Sequence, residues 1–178
     1  MSALTEEQSL IREQASAWAV NESPVSRFRA LRDSRSGEGF VADTWAAMVD
    51  MGWSGILVPE QYGGSNLGFL TFGLILEELG RQLAASPLFT SSLVGASALL
   101  LGGRPDQHES ILPKIVDGSA LLTLALDESA RHAPLQTALS AVRQGDGFTL
   151  TWQKTVVPEG MSATLFVVRA RTSGQPGE

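Results

Sequence analysis

Two carboxylate pairs and one histidine have the types suited to acid–base chemistry: Glu77-Glu78, Asp127-Glu128 and His132. Paired carboxylates divide acid and base work only when they face one another. Glu77 and Glu78 fall in a run of helical periodicity, Gly68 to Gly80. Adjacent helical residues point about 100° apart, so the two do not share one site. That spacing predicts surface charge on one and a structural pair with Arg81 or a loop on the other. Asp127-Glu128 follows the apolar run ALLTLAL (120–126), at a strand end, where a rigid frame can carry functional side chains. A solvated turn is the plainer expectation. His132, in SARHAP, has no cysteine or motif-placed serine nearby to activate, which points to a surface histidine.

The stretch GWSGILVPEQYGG (52–64) raises a third chemistry, a phosphate cradled by backbone N–H groups. The dinucleotide fingerprint needs G-x-G-x-x-G directly after a strand and opening a helix. Gly52, Gly55, Gly63, Gly64 and Gly68 do not have that spacing, and no GK[ST] follows. The stretch reads instead as a loop carrying Trp53, Ile56 and Leu57 back across the helices.

Composition narrows the classes further. Among 178 residues there are no cysteines, which removes thiolate nucleophiles, disulfides and Cys-ligated metals. His108 and His132 lie far apart, a poor start for a metal site. Net charge is −6, and 11 of 13 basic residues are arginines without a cluster, so neither nucleic acid nor an anionic membrane is expected as partner. The most apolar run, Leu88 to Leu101, is 14 residues, short of the about 20 that span a bilayer. The polar, acidic start MSALTEEQSLIREQ is unlike a signal peptide, so the expected location is cytoplasmic.

The elements that position these residues follow from period and punctuation. Thr5 and Gln8 have capping-box spacing, and Leu10, Ile11, Ala15, Trp18 and Ala19 recur helically, predicting an amphipathic helix over 5–22. Residues 32–39, RDSRSGEG, predict a solvated loop. Asp43 is placed to cap a helix ending at Met51, with Gly52 as its left-handed terminator. A helix over 68–80 turns Leu70, Leu74, Ile75 and Leu79 inward. Another covers about 87–101. A last one starts at Pro105, buries Ile111, Leu112, Ile115 and Val116, and ends at Asp117-Gly118, with a kink or break at Pro113.

The period changes near residue 120. Strands are predicted at 120–126, 138–142, 147–152 and 163–170, with a tight turn at Gly145-Asp146-Gly147. Phe148 and Trp152 share a strand face, which suggests core packing. Helices followed by strands imply an α+β chain, with a helical domain over 1–118 and a β domain over 119–178. Four strands are few for a barrel or sandwich, so this part either packs on the helices or belongs to a fragment.

Together these pieces resemble the acyl-CoA dehydrogenase family. "LTEEQSLIREQASAWA" looks like that family's first helix, and "MGWSGILVPEQYGG" with "LILEELGR" is its most recognisable N-terminal stretch. "KIVDGSALLTLALDES" and "GDGFTLTWQKTVVPEG…LFVVRART" look like the entry into its middle β domain. The resemblance implies an N-terminal all-α domain, an incomplete middle β-barrel domain and an absent C-terminal four-helix bundle. It also implies FAD-dependent α,β-dehydrogenation of an acyl-CoA thioester in fatty acid or lipid metabolism. Electrons would pass to an electron-transfer flavoprotein, in a homotetramer or a heterotetramer with a related subunit. The family's glutamate base lies in the missing bundle, so no catalytic residue is assigned within this chain.

The resemblance places flavin contacts at Leu126 and Asp127 and at Val156, Val157 and Pro158, and there the sequence departs from the family. Its Gly-Ser-Asp run is absent after Asp127-Glu128-Ser129. An Asp127 side chain aimed at a reduced, anionic flavin would be unfavourable unless it faced away. Val156 stands where the family has an aromatic ring, and Pro158 where it has a hydroxyl residue. Proline has no backbone N–H, so no donor to flavin N5 can come from that position. Three readings stay open: a catalytic flavin-binding subunit, a non-catalytic subunit of a heteromeric acyl-CoA dehydrogenase (for sterol side chains, for example), or a stand-alone helical interaction domain.

Overall fold

The computed structural model describes residues 4–151 and 153–176. Helix α1, Glu6–Glu22, opens on the expected reciprocal cap: Thr5 Oγ1 accepts from the Gln8 N–H, and Gln8 Oε1 accepts from the Thr5 N–H, both at 3.1 Å. Its inward face is Ala15 and Ala19, with Ile11 and Trp18 half-buried beside them. Leu10, expected on that face, is exposed.

Helix α2, Val25–Ser34, was not foreseen. No residue of it is buried, and Val25, Phe28 and Leu31 make only a thin half-buried stripe. Its last turn takes in Arg32 to Ser34, so the polar loop begins only at Arg35, which closes the helix at φ 54°. Helix α3, Ala42–Asp50, is capped by Val41 rather than Asp43; Asp43 lies in the first turn, where its charge complements the helix dipole. Gly52 terminates it at φ 75°, a left-handed conformation that glycine adopts without steric cost.

Residues 53–64 pack as two short 3₁₀ turns, Trp53–Gly55 and Glu60–Tyr62, around a wholly buried stretch from Trp53 to Val58. The carbonyls of Gly55, Ile56 and Val58 accept the N–H groups of Ser65, Leu67 and Asn66, so these buried acceptors are satisfied within the loop. A Cβ at Gly64 would collide with the Val58 carbonyl, and that close approach explains the glycine.

Helix α4, Gly68–Arg81, lies along α1 and buries Phe72, Leu74, Ile75 and Leu79. Phe72, not the exposed Leu70, completes its inward face. The helix expected over 87–101 is two elements: a π-helical stretch, Leu88–Gly95, runs directly into α5, Ala96–Gly102. Helix α6, Pro105–Val116, passes through Pro113 without a break. The carbonyl that loses its donor belongs to Glu109, an exposed residue, so water can replace the missing N–H.

Among the described residues four strands follow. β1 (Leu122–Ala125) pairs in parallel with β4 (Leu165–Val168), Leu122 opposite Leu165 and Ala125 opposite Val168. β2 (Ser140–Gln144) and β3 (Gly147–Thr151) form an antiparallel hairpin whose turn is the expected Gly145-Asp146. The two sheets meet where Arg171 exchanges backbone hydrogen bonds with Leu139 and Ala141, both at 2.8 Å. β1 packs on the π-helical stretch: Ser91 Oγ accepts from the Leu122 N–H at 3.1 Å. Every residue of β3 is exposed, so Phe148 does not pack in a core; Trp152, expected to share its face, lies outside the described residues. The fold is α+β, a helical N-terminal domain followed by a partial β domain. Among the described residues no helix is long and apolar enough to cross a membrane.

Candidate functional site

The two segments singled out in sequence, 126–129 and 153–158, lie side by side. The Thr155 N–H donates to the Asp127 carbonyl at 2.7 Å, and Thr155 Oγ1 donates to the Ser129 carbonyl at 3.2 Å. Lys154 Nζ reaches both the Leu126 carbonyl, at 3.0 Å, and Glu128 Oε1, at 2.7 Å. The end of β1 thus holds the segment after β3, although 25 residues or more separate the partners in sequence.

Glu128 organises this clasp and is not the solvated residue its position suggested. Its side chain is 10% exposed and that of Lys154 6%. Besides Lys154, the carboxylate accepts the N–H groups of Ala138 and Leu139 at 2.8 and 3.0 Å. Burial alone would push Glu128 up, but the lysine and the two amides together outweigh it and hold the carboxyl below its usual value. Glu128 therefore fastens three segments: the end of β1, the lead into β2 and the segment after β3. Its neighbour Asp127 turns the other way and meets His132 Nδ1 at 3.0 Å, with the histidine largely exposed as expected.

At the far end, Val156 is 75% exposed and has φ 49°, a conformation that costs a β-branched residue of order 1–2 kcal/mol. Val157 is half-buried and Pro158 exposed. The Pro158 carbonyl accepts from Thr123 Oγ1 at 2.6 Å. Glu159, also at positive φ, is half-buried against the π-helical stretch, where Thr90 Oγ1 donates to its carboxylate. Burial raises this carboxyl above its usual value, and the Thr90 contact offsets only part of the rise.

Sequence reasoning missed the Glu128–Lys154 clasp and the Thr90–Glu159 contact. The available signal for the first was chemical. Lys154 is one of two lysines, and it sits in an otherwise uncharged run beside a predicted strand end. The other carboxylate pair splits in burial as its spacing predicts, Glu77 half-exposed and Glu78 buried against Arg12 Nε at 2.8 Å and Arg81 Nε at 3.2 Å, but Glu77 also reaches both arginines, Arg12 at 3.4 Å and Arg81 at 2.7 Å. The Arg12 hydrogen bond outweighs burial and lowers the Glu78 carboxyl.

Residues 5–119 match the family model "Acyl-CoA dehydrogenase, N-terminal domain". The chain belongs to the acyl-CoA dehydrogenase family. Among curated acyl-CoA dehydrogenase relatives, the cyclohex-1-ene-1-carbonyl-CoA dehydrogenase of Syntrophus aciditrophicus is 31% identical over 99% of this chain and 42% of its own length. Among solved structures, a variant of the Tcur3481-Tcur3483 steroid ACAD superposes with TM-score 0.84 at 32% identity, covering 96% of this chain and 46% of that one. The ChsE4-ChsE5 complex from Mycobacterium tuberculosis gives 0.83 at 29% identity, over 97% and 46%. This acyl-CoA dehydrogenase chain therefore spans less than half the length of these relatives.

A flavin fits the segments poorly. The Leu126 carbonyl is taken by Lys154 and the Asp127 carbonyl by Thr155. The Thr155 hydroxyl and N–H are both engaged within the clasp. Pro158 brings no N–H, and Val156 presents an aliphatic surface where stacking needs a ring. The Asp127 carboxylate is already paired with His132.

Proposed function

We propose that this chain, divided at 1–118 and 119–178, is the first part of an acyl-CoA dehydrogenase subunit that works on an acyl-CoA thioester. In this reading the base and most flavin contacts come from outside the chain. The observation that carries it is the closed clasp at 126–129 and 153–158, set in a chain whose family is acyl-CoA dehydrogenase. A subunit that retains its own flavin presents a ring to stack on it and side-chain donors beside it; here the Leu126 and Asp127 carbonyls and the Thr155 N–H and hydroxyl are used internally, and Val156 and Pro158 bring neither ring nor donor. The reading thus favours a heteromeric assembly, in which a related subunit holds FAD and this one completes the quaternary structure. The likeness to the ChsE4-ChsE5 complex supports that choice. An electron-transfer flavoprotein is the proposed acceptor for the assembly.

Colour tests the reading. The intact protein purified alone is expected to lack flavin absorbance near about 450 nm, and co-expression with the related dehydrogenase subunit is expected to give a yellow complex. A yellow homomer with dehydrogenase activity would sink the heteromeric reading. The double substitution Val156→Trp, Pro158→Thr is expected to raise flavin retention by the isolated chain.

A further inference from the structure

A second concave site lies at the C-terminal end of β4, next to the lead into β2 that Glu128 fastens. It is a cavity of about 230 Å³ whose walls include Arg169, Arg171, Thr137, Thr172, Ser173 and Gln175. Among the described residues no carboxylate lines it. Five cations elsewhere have a carboxylate: Arg12 and Arg81 share Glu77 and Glu78, Arg32 has Asp33, Arg104 has Asp106, and Lys154 has Glu128. Among the described residues, no carboxylate lies within ion-pair distance of Arg169 or Arg171.

Both guanidinium groups are held in place by neutral acceptors. Arg169 Nη1 donates to the Pro134 carbonyl. Arg171 Nε donates to the Thr137 carbonyl at 3.4 Å and its Nη1 to the Gly174 carbonyl. The Arg171 backbone is itself pinned between Leu139 and Ala141. Carbonyl contacts orient a guanidinium without neutralising it, and each arginine has five N–H donors, more than these bonds use. The two residues are two apart in an extended segment, so their side chains leave the backbone on the same side. Both are half-buried, which strengthens their field relative to a fully solvated arginine. Thr172 and Ser173 add hydroxyl donors at the rim.

We propose that this pocket binds a phosphate group. Two fixed guanidinium forks with hydroxyls beside them match a tetrahedral dianion better than a single carboxylate, and they suit phosphate more than a lysine pair would. The volume leaves room for the group to which a phosphate monoester is attached. Free phosphate and the nucleotide end of coenzyme A share this chemistry. The phosphate assignment stands on the pocket alone and does not require the functional reading above.

The test is calorimetric titration of the intact protein with inorganic phosphate, repeated with Arg169→Gln, Arg171→Gln and Ser173→Glu. The last places a carboxylate at the rim and removes no bond that holds the loop, so it stays informative if the arginine variants fail to fold. Each is expected to weaken phosphate by about tenfold or more, and Arg143→Gln, on the exposed hairpin, by less than about twofold. Coenzyme A displacing the phosphate identifies a nucleotide as the natural source, and phosphate binding that coenzyme A leaves intact identifies a small anion; both support the pocket. Phosphate that fails to bind at about 10 mM, or binds equally to Ser173→Glu, overturns it.

Discussion

The helical part and the strand part of this chain bury their residues by different means. Across 4–118, apolar side chains from α1, α3, α4 and the loop at 53–58 form a core containing Trp45, Met48, Trp53, Phe72 and Ile75. Beyond residue 125, buried apolar residues are nearly absent, and ion pairs and hydrogen bonds hold the chain instead: Glu128 with Lys154, Thr123 with Pro158, Arg171 with its neighbours. Charge divides the same way. Residues 4–118 carry fourteen acidic and eight basic side chains, and residues 119–176 carry four and five. The helical core also takes in Leu121 and Leu122 at the start of the strand part. Beyond β1 the strand part is fixed mainly by polar contacts and leaves faces such as that of β3 uncovered.

The largest effect that would break this contrast belongs to Phe72, 1% exposed at the centre of the helical core. Phe72→Ala is expected to cost about 3–5 kcal/mol in denaturant titration. A cost near that of a surface change would mean the core is not where the stability lies. Gly64→Ala, which drives a methyl group into the Val58 carbonyl, is expected to cost about 1–3 kcal/mol by the same measurement.

The polar clasp should respond locally. With Lys154→Met, amide exchange at Ala138 and Leu139 is expected to quicken by about tenfold or more, while that of Phe72 holds. Uniform acceleration across both parts would show that the clasp supports the whole chain.

The buried carboxylates split by sign in their response to pH. Glu78 and Glu128 are held low, so each adds stability that is complete above the ordinary carboxylate value and is lost as pH falls through the lowered one. Glu159 is held high, so its contribution is present below the ordinary value and lost as pH rises through the raised one. Glu159→Gln is therefore expected to raise the melting midpoint at about pH 7, an advantage that disappears near about pH 4. An advantage that persists at low pH would show that charge is not its source. The smallest effect is on the hairpin. Phe148→Ala, at a 57% exposed position, is expected to change stability by less than about 0.5 kcal/mol. A larger loss would mean that something covers β3.

Much of the helical part was legible because its signals are local. The Thr5–Gln8 cap, the Gly52 terminator, the period of α4 and the turn at Gly145-Asp146 each depend on residues within a few positions of one another. The misreadings share one cause. Leu10 and Leu70 are apolar residues on the edge of an amphipathic stripe, and which edge turns inward depends on the neighbouring helix. Helix α2 has too thin a stripe to announce itself. The π-helical register at Leu88–Gly95 differs from an α-helix by one residue per turn, which composition does not encode.

The sequence by itself determined the family, the order of helices before strands, the structural role of the Glu77-Glu78 pair and the lack of an N–H at Pro158, since these rest on residue identity and short spacing. Only the tertiary structure decided that Glu128 is buried against Lys154 and two amides, that Asp127 turns aside to His132, that β1 pairs with β4 in parallel, and that Arg169 and Arg171 line one pocket. Each of those depends on which distant segment arrives beside a strand end. Burial and charge pairing are properties of that meeting, not of either segment alone.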